Sequence, residues 1–118
     1  MRSDRDRLAD MLEALDRVLR YRDLSREDFQ QDEVVQTWVI HYVQIVGEAA
    51  RALSEEFISA HPDIPWSDII GMRHSLVHHY FSIDLDAVVE VMHRDAPLLR
   101  EQVRALLAAM PEEGTEPL

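Results

Sequence analysis

The sequence predicts an all-α fold, an up-and-down bundle of four main helices with short helical pieces between them. Three observations point there. Apolar residues recur at helical spacing over most of the chain, no alternating run argues for a strand, and only 3 of 118 residues are glycine, so turn material is scarce. Hydrophobic residues make up 47% and charged residues 30%, which suits one compact domain with a buried core rather than a disordered chain. Residues 1–110 are expected to form that single domain. The acidic stretch 111–118 is predicted to be a disordered tail.

The first helix is expected from Ser3 or Asp4, as N-cap, to about Tyr21. Leu8, Met11, Leu12, Leu15, Val18 and Leu19, spaced by threes and fours, are its apolar seam. Ser25-Arg26-Glu27-Asp28 resembles a capping box, and a long helix should follow from about Gln31 to Leu53. There Val35, Trp38, Val39, Tyr42, Ile45, Val46, Ala49 and Leu53 form a wide apolar stripe. Thr37, His41, Gln44, Glu48 and Arg51 form a polar one. Ser54 to His61 reads as a short helix. The run His61-Pro62-Asp63-Ile64-Pro65 breaks the chain, because proline cannot continue a helix but can open the next. A third main helix is predicted from about Pro65 to Tyr80, then a turn at Ser82-Ile83-Asp84. The last helix should run from about Leu85 to Met110, with Pro97 kinking or dividing it.

Charge and composition exclude several functions. The chain has no cysteine, which removes disulfides, thiolate metal sites and cysteine nucleophiles and fits a reducing cytoplasm. Twelve basic residues, all arginine, stand against 23 acidic ones, for a formal net charge of -11. No segment is a basic patch, so strong sequence-independent binding to nucleic acid is not expected. Any RNA contact must come from a few locally arranged arginines. No apolar run approaches the roughly 18 to 20 residues that span a bilayer, and the charged start, Met1 to Arg7, does not read as a signal peptide.

The segment 65–80 departs from the simple pattern. On a helix of about 100° per residue, Arg73 falls about 20° from Trp66, in the middle of the stripe formed by Ile69, Ile70, Leu76, Val77 and Tyr80. An arginine on a core-facing seam is costly unless it is paired or kept wet. It could snorkel, or pair with Glu48 or Asp84. His74 and His78, four apart, share a flanking face with Ser67 and Gly71. Three readings of that face stay open on spacing alone. Two histidines at this spacing are part of a zinc site, but the third ligand is missing from the pattern. A solvated face without a role is the second. The third is acid–base chemistry on an RNA phosphodiester: histidine takes or gives a proton near neutral pH, and arginine offers a fixed positive fork to the phosphate. A twofold homodimer would double this set and keep Arg73 hydrated in a shared cleft.

Arg73-His74-Ser75-Leu76-Val77-His78-His79-Tyr80 also fits the string arginine, four residues, histidine, one residue, tyrosine. With the Ile64-Pro65-Trp66 entry, Gly71-Met72 and Ile83-Asp84, it resembles the HEPN-domain proteins, in particular the HepT-like toxins, over nearly the whole chain except the tail. The resemblance implies a metal-independent endoribonuclease acting as the toxin of a toxin–antitoxin module. It implies no cofactor and no bound metal, and a homodimer whose two motifs line one cleft. Arg73 and His78 would be the catalytic pair, with the polar His74 in support. The antitoxin would be a minimal nucleotidyltransferase that attaches AMP to the motif tyrosine, here Tyr80, blocking the cleft. The alternative is a non-catalytic subunit that holds nucleotide or substrate for such a transferase.

Overall fold

The computed structural model describes residues 2–79 and 82–111, with side chains for 2–72 and 83–111. Its elements are α1 (Asp4–Leu19), α2 (Arg26–Gln31), α3 (Glu33–Arg51), α4 (Glu55–Ala60), α5 (Trp66–Leu76), β1 (Val77–His79), β2 (Ser82–Ile83), α6 (Leu85–Glu90), a π-helical turn (Val91–Asp95) and α7 (Ala96–Ala109). The all-α architecture expected from the periodicity is what the chain adopts, with one two-stranded ladder added. No helix among the described residues is long and apolar enough to cross a membrane.

Short polar side chains start the first four helices. Ser3 and Asp6 form a full capping box on α1: the Asp6 N–H donates to Ser3 Oγ at 3.1 Å and the Ser3 N–H to Asp6 Oδ2 at 3.2 Å. Ser25 Oγ accepts from the Asp28 N–H, so the serine predicted as a cap opens the short α2. Asp32, one residue after α2, caps α3 through the Val35 N–H. Ser54 caps α4 through the Phe57 N–H and also donates its own N–H and hydroxyl to Asp4, at 2.8 and 2.7 Å. That link fastens the end of α3 to the start of α1.

The core lies where α1, α3 and α7 meet. Leu8, Met11 and Val18 of α1, Val39 of α3 and Val103 of α7 are fully enclosed. Burying each such side chain contributes roughly 1.5–3 kcal/mol. α1 and α3 run antiparallel, since Asp4 meets Ser54 at one end and the Trp38 indole N–H donates to the Arg17 carbonyl, 2.7 Å, near the other. On α3 the expected stripe is present but rotated. Val43 and Ala50, absent from it, are buried, whereas Trp38, Tyr42 and Ile45 are only half-buried. The cause is a second neighbour: α5 packs against α3 as well, so the buried arc widens on that side.

Pro97 divides the last helix, as the sequence predicts. Having no N–H, it cannot donate back to the His93 carbonyl, and the turn just before it is wound as a π-helix. There the Ala96 N–H reaches five residues back, to the Val91 carbonyl.

Candidate functional site

The helix that carries the motif arginine is anchored at its start. Ile64, Trp66 and Ile69 are buried, 4–5% exposed. The Trp66 backbone N–H donates to the Ile64 carbonyl at 2.8 Å, and its indole N–H to the His61 carbonyl at 2.9 Å. Phe57 of α4 stands edge-on to the Trp66 ring, centroids 6.1 Å apart, and lies 4.5 Å from the His61 ring. The Pro-Trp entry is thus a clamp that holds the first turn of α5 against α3 and α4. Farther along, α5 approaches α3 closely at Gly47, where a side-chain carbon would sit 3.3 Å from the Ile69 carbonyl oxygen.

The other end of the motif segment is anchored too. β1 and β2 pair antiparallel, Val77 with Ile83 and His79 with Ser82, with an irregularity between the two pairs. Asp84 then caps α6 through the Ala87 N–H. Asp86 in the first turn of α6 accepts from Arg26 at 2.7 Å and from Gln30 at 3.0 Å, tying this end to α2. His93 in the π turn lies 3.0 Å, through Nε2, from the Leu24 carbonyl.

This geometry corrects one expectation. The helix predicted to Tyr80 ends at Leu76, and Val77-His78-His79 is extended. Likewise Ser82-Ile83, predicted as a turn, is a strand. The β-branched Val77 next to two histidines has little helix propensity, and pairing with Ile83 satisfies the backbone instead. Arg73 and His74 therefore sit in the last turn of α5 and His78 in β1, on different elements. Helical azimuths do not relate His78 to Arg73. The side chains of Arg73, His74 and His78, and Tyr80 altogether, lie outside the described residues.

Among the described residues, locally arranged arginines occur at the end of α1. The Arg20 guanidinium lies over the rings of Tyr21 and Trp38, 5.6 and 5.2 Å from their centroids. Arg17 lies 5.4 Å over Tyr42, with its Nη2 donating to Glu13 at 2.9 Å; that bond and the nearby Tyr42 hydroxyl raise the guanidinium pKa further. Sequence spacing alone did not show this cluster, because it forms between two helices. Trp38 and Tyr42 could have signalled it as large aromatics at the edge of the α3 stripe.

A family profile, Ribonuclease HepT-like, matches residues 11–106. The chain belongs to the HepT-like ribonuclease family. It is 34% identical over 106 residues to the protein named "Probable ribonuclease HepT" of Thermococcus cleftensis, covering 89% of this chain and 96% of that one. A "Putative RNase" of Caldanaerobacter subterraneus is 34% identical over 90 residues, 76% of this chain and 80% of its own. Another "Putative RNase", of Methanocaldococcus jannaschii, is 30% identical over 97 residues, 81% of this chain and 89% of its own. No solved structure gives a significant match. The HepT-like profile runs from the second half of α1 through most of α7, so the motif segment lies well inside the shared region.

Proposed function

We propose that this chain is the ribonuclease toxin of a two-component toxin–antitoxin module. It would act as a homodimer that cuts RNA without a metal ion, with Arg73 and His78 as the catalytic pair and His74 in support. Tyr80 is the residue that a minimal nucleotidyltransferase antitoxin silences with AMP. One observation carries the reading: in a HepT-like chain, the R-x4-H-x-Y string begins in the last turn of α5, between two anchored ends.

The chemistry needs little beyond these groups. An imidazole takes the proton of the RNA 2′-hydroxyl, and the 2′-oxygen bonds to phosphorus as the bond from phosphorus to the 5′-oxygen breaks. A second imidazole, from the partner protomer, protonates the leaving oxygen. The products are a 2′,3′-cyclic phosphate and a free 5′-hydroxyl. Arginine neutralises the charge that grows on the phosphoryl oxygens. Attaching AMP to Tyr80 joins its phenolic oxygen to the α-phosphorus of ATP and releases pyrophosphate. The added phosphate brings negative charge to the same R-x4-H-x-Y string as the arginine that RNA would need.

The test is RNA cleavage by the purified full chain in EDTA. Cleavage with cyclic-phosphate ends, lost in Arg73→Ala and His78→Ala, is the expected result; retained cleavage in both variants overturns the assignment. Incubation with ATP and the proposed nucleotidyltransferase antitoxin should add the mass of AMP to the wild type but not to Tyr80→Phe. RNA binding and AMP attachment without cleavage or growth arrest would instead identify a non-catalytic subunit.

A further inference from the structure

A cleft of about 600 Å³ opens between α5 on one side and α6, the π turn and α7 on the other. Its floor is apolar: Val43 and Val46 of α3, Ile69 of α5 and Leu99 of α7. Half-buried Met72 of α5 lines it too, as does Leu98 of α7, which is 64% exposed. Four carboxylates stand among its lining residues, Asp63 and Asp68 on the α5 side and Glu90 and Asp95 on the other. All four residues are exposed. Among the described residues no arginine lies within ion-pair distance of Asp63, Asp68 or Asp95, and Glu90 has only a loose 3.6 Å contact with Arg26.

We propose that this cleft is the docking site for a partner polypeptide, a cationic amphipathic segment that lays apolar side chains on the floor and sets arginines or lysines against the four carboxylates. Charge selects this occupant. RNA would bring phosphates against the acidic rim. Residues 112–118 of this chain carry Glu112, Glu113 and Glu116, the same sign as the rim. A second copy seated symmetrically would oppose two such rims, and like charges facing one another are costly. A basic segment meets attraction at the rim and is steered there by the net charge of -11. The site is independent of the ribonuclease reading, yet it borders the same helix. Met72 immediately precedes Arg73, so a docked partner lies against the element that carries the motif arginine.

The experiment measures binding of a synthetic amphipathic peptide, with leucines on one face and arginines on the other, to the full chain. Its isomer with glutamates in place of the arginines is the control. The rim variant Asp63→Asn/Asp68→Asn/Asp95→Asn is compared with Glu27→Gln/Glu55→Gln/Glu56→Gln, which removes the same charge elsewhere. Ala87→Trp, at a half-buried position lining the cleft, fills the space, and circular dichroism checks that each variant folds. The arginine peptide should bind the wild type, weaken about tenfold or more in the rim variant and only a few-fold in the off-site variant, and be lost in Ala87→Trp. Equal weakening in both charge variants, or full binding by Ala87→Trp, overturns the proposal as general electrostatic attraction. Equal binding of the glutamate peptide overturns the charge argument. If sedimentation shows that Ala87→Trp abolishes self-association of the chain, the occupant is a second copy and the proposal fails.

Discussion

Gly47 of α3 faces the backbone of Ile69 in α5, and a β-carbon added to Gly47 would stand 3.3 Å from the Ile69 carbonyl oxygen. Any added side chain makes this approach tight, and α5 is the helix that carries Arg73. Gly47→Ala trades a helix-propensity gain of up to about 1 kcal/mol against that tight contact, so its net effect should be small. Gly47→Val cannot be absorbed this way. It should lower unfolding stability by about 1–3 kcal/mol in urea denaturation and reduce RNA cleavage by more than Gly47→Ala does. Equal behaviour of the two variants would show that the close approach does not position the site.

Trp66 tests the clamp at the start of α5. Trp66→Phe keeps an aromatic ring but removes the indole N–H that donates to the His61 carbonyl at 2.9 Å. The His61 carbonyl keeps the Ile64 N–H at 3.3 Å but loses the indole donor, and the buried ring shrinks, so the expected loss is about 1–3 kcal/mol by chemical denaturation. Phe57→Leu, which removes the ring contacts with Trp66 and His61 but no hydrogen bond, should cost less. The reverse order would mean that ring packing, not the hydrogen bond, holds the entry.

These two contacts also show where sequence reading reaches its limit. The apolar seam of α1 was legible because its residues meet one core, and Leu8, Met11, Leu15 and Val18 are all buried. Pro97 was legible because a missing N–H has a local consequence. The rotation of the α3 stripe toward Val43 and Ala50 was not, since it depends on α5 arriving from a distant part of the chain. Nor was the end of α5 at Leu76, where pairing of Val77 with Ile83 competes with helix continuation. The motif residues themselves could be picked out as a string. Which elements hold them could not, because a ladder registers only when both strands are placed.

The surface of α7 makes acid stability sensitive to one carboxylate. Arg104 donates to Glu101 through Nε at 3.0 Å and Nη2 at 2.9 Å, and Arg100 adds a bond at 3.2 Å. These bonds, Arg104 first, hold the Glu101 carboxyl below its ordinary pKa. A depressed folded-state pKa means stabilisation that is present above the unfolded carboxylate pKa, near 4.3, and lost as pH falls through the lower folded value. Glu101→Gln should therefore flatten the acid side of the Tm-against-pH curve while leaving its acid limit unchanged. The difference should shrink in high salt, because the group is exposed. A wild-type-like acid slope in Glu101→Gln would show that the ion pairs contribute nothing in solution.

Mixed dimers test whether the proposed chemistry is shared between protomers. Arg73 and His78 lie on different elements, α5 and β1, and His78 falls at the irregular step of the ladder. If two motifs line one cleft, an Arg73→Ala protomer still supplies His78 and a His78→Ala protomer still supplies Arg73. Either variant alone should lose about 10²-fold or more in RNA cleavage. Unfolding and refolding the two together gives mixed dimers with one Arg73 and one His78, which should recover only a small part of the lost activity because the second imidazole is still missing. Arg73→Lys in place of Arg73→Ala should retain more activity when assayed alone but remain well below wild type. Its ammonium keeps the charge and loses the planar fork. No recovery on mixing would mean that each protomer works with its own pair or that both imidazoles are required. Recovery would place arginine and histidine from opposite subunits at the same phosphate.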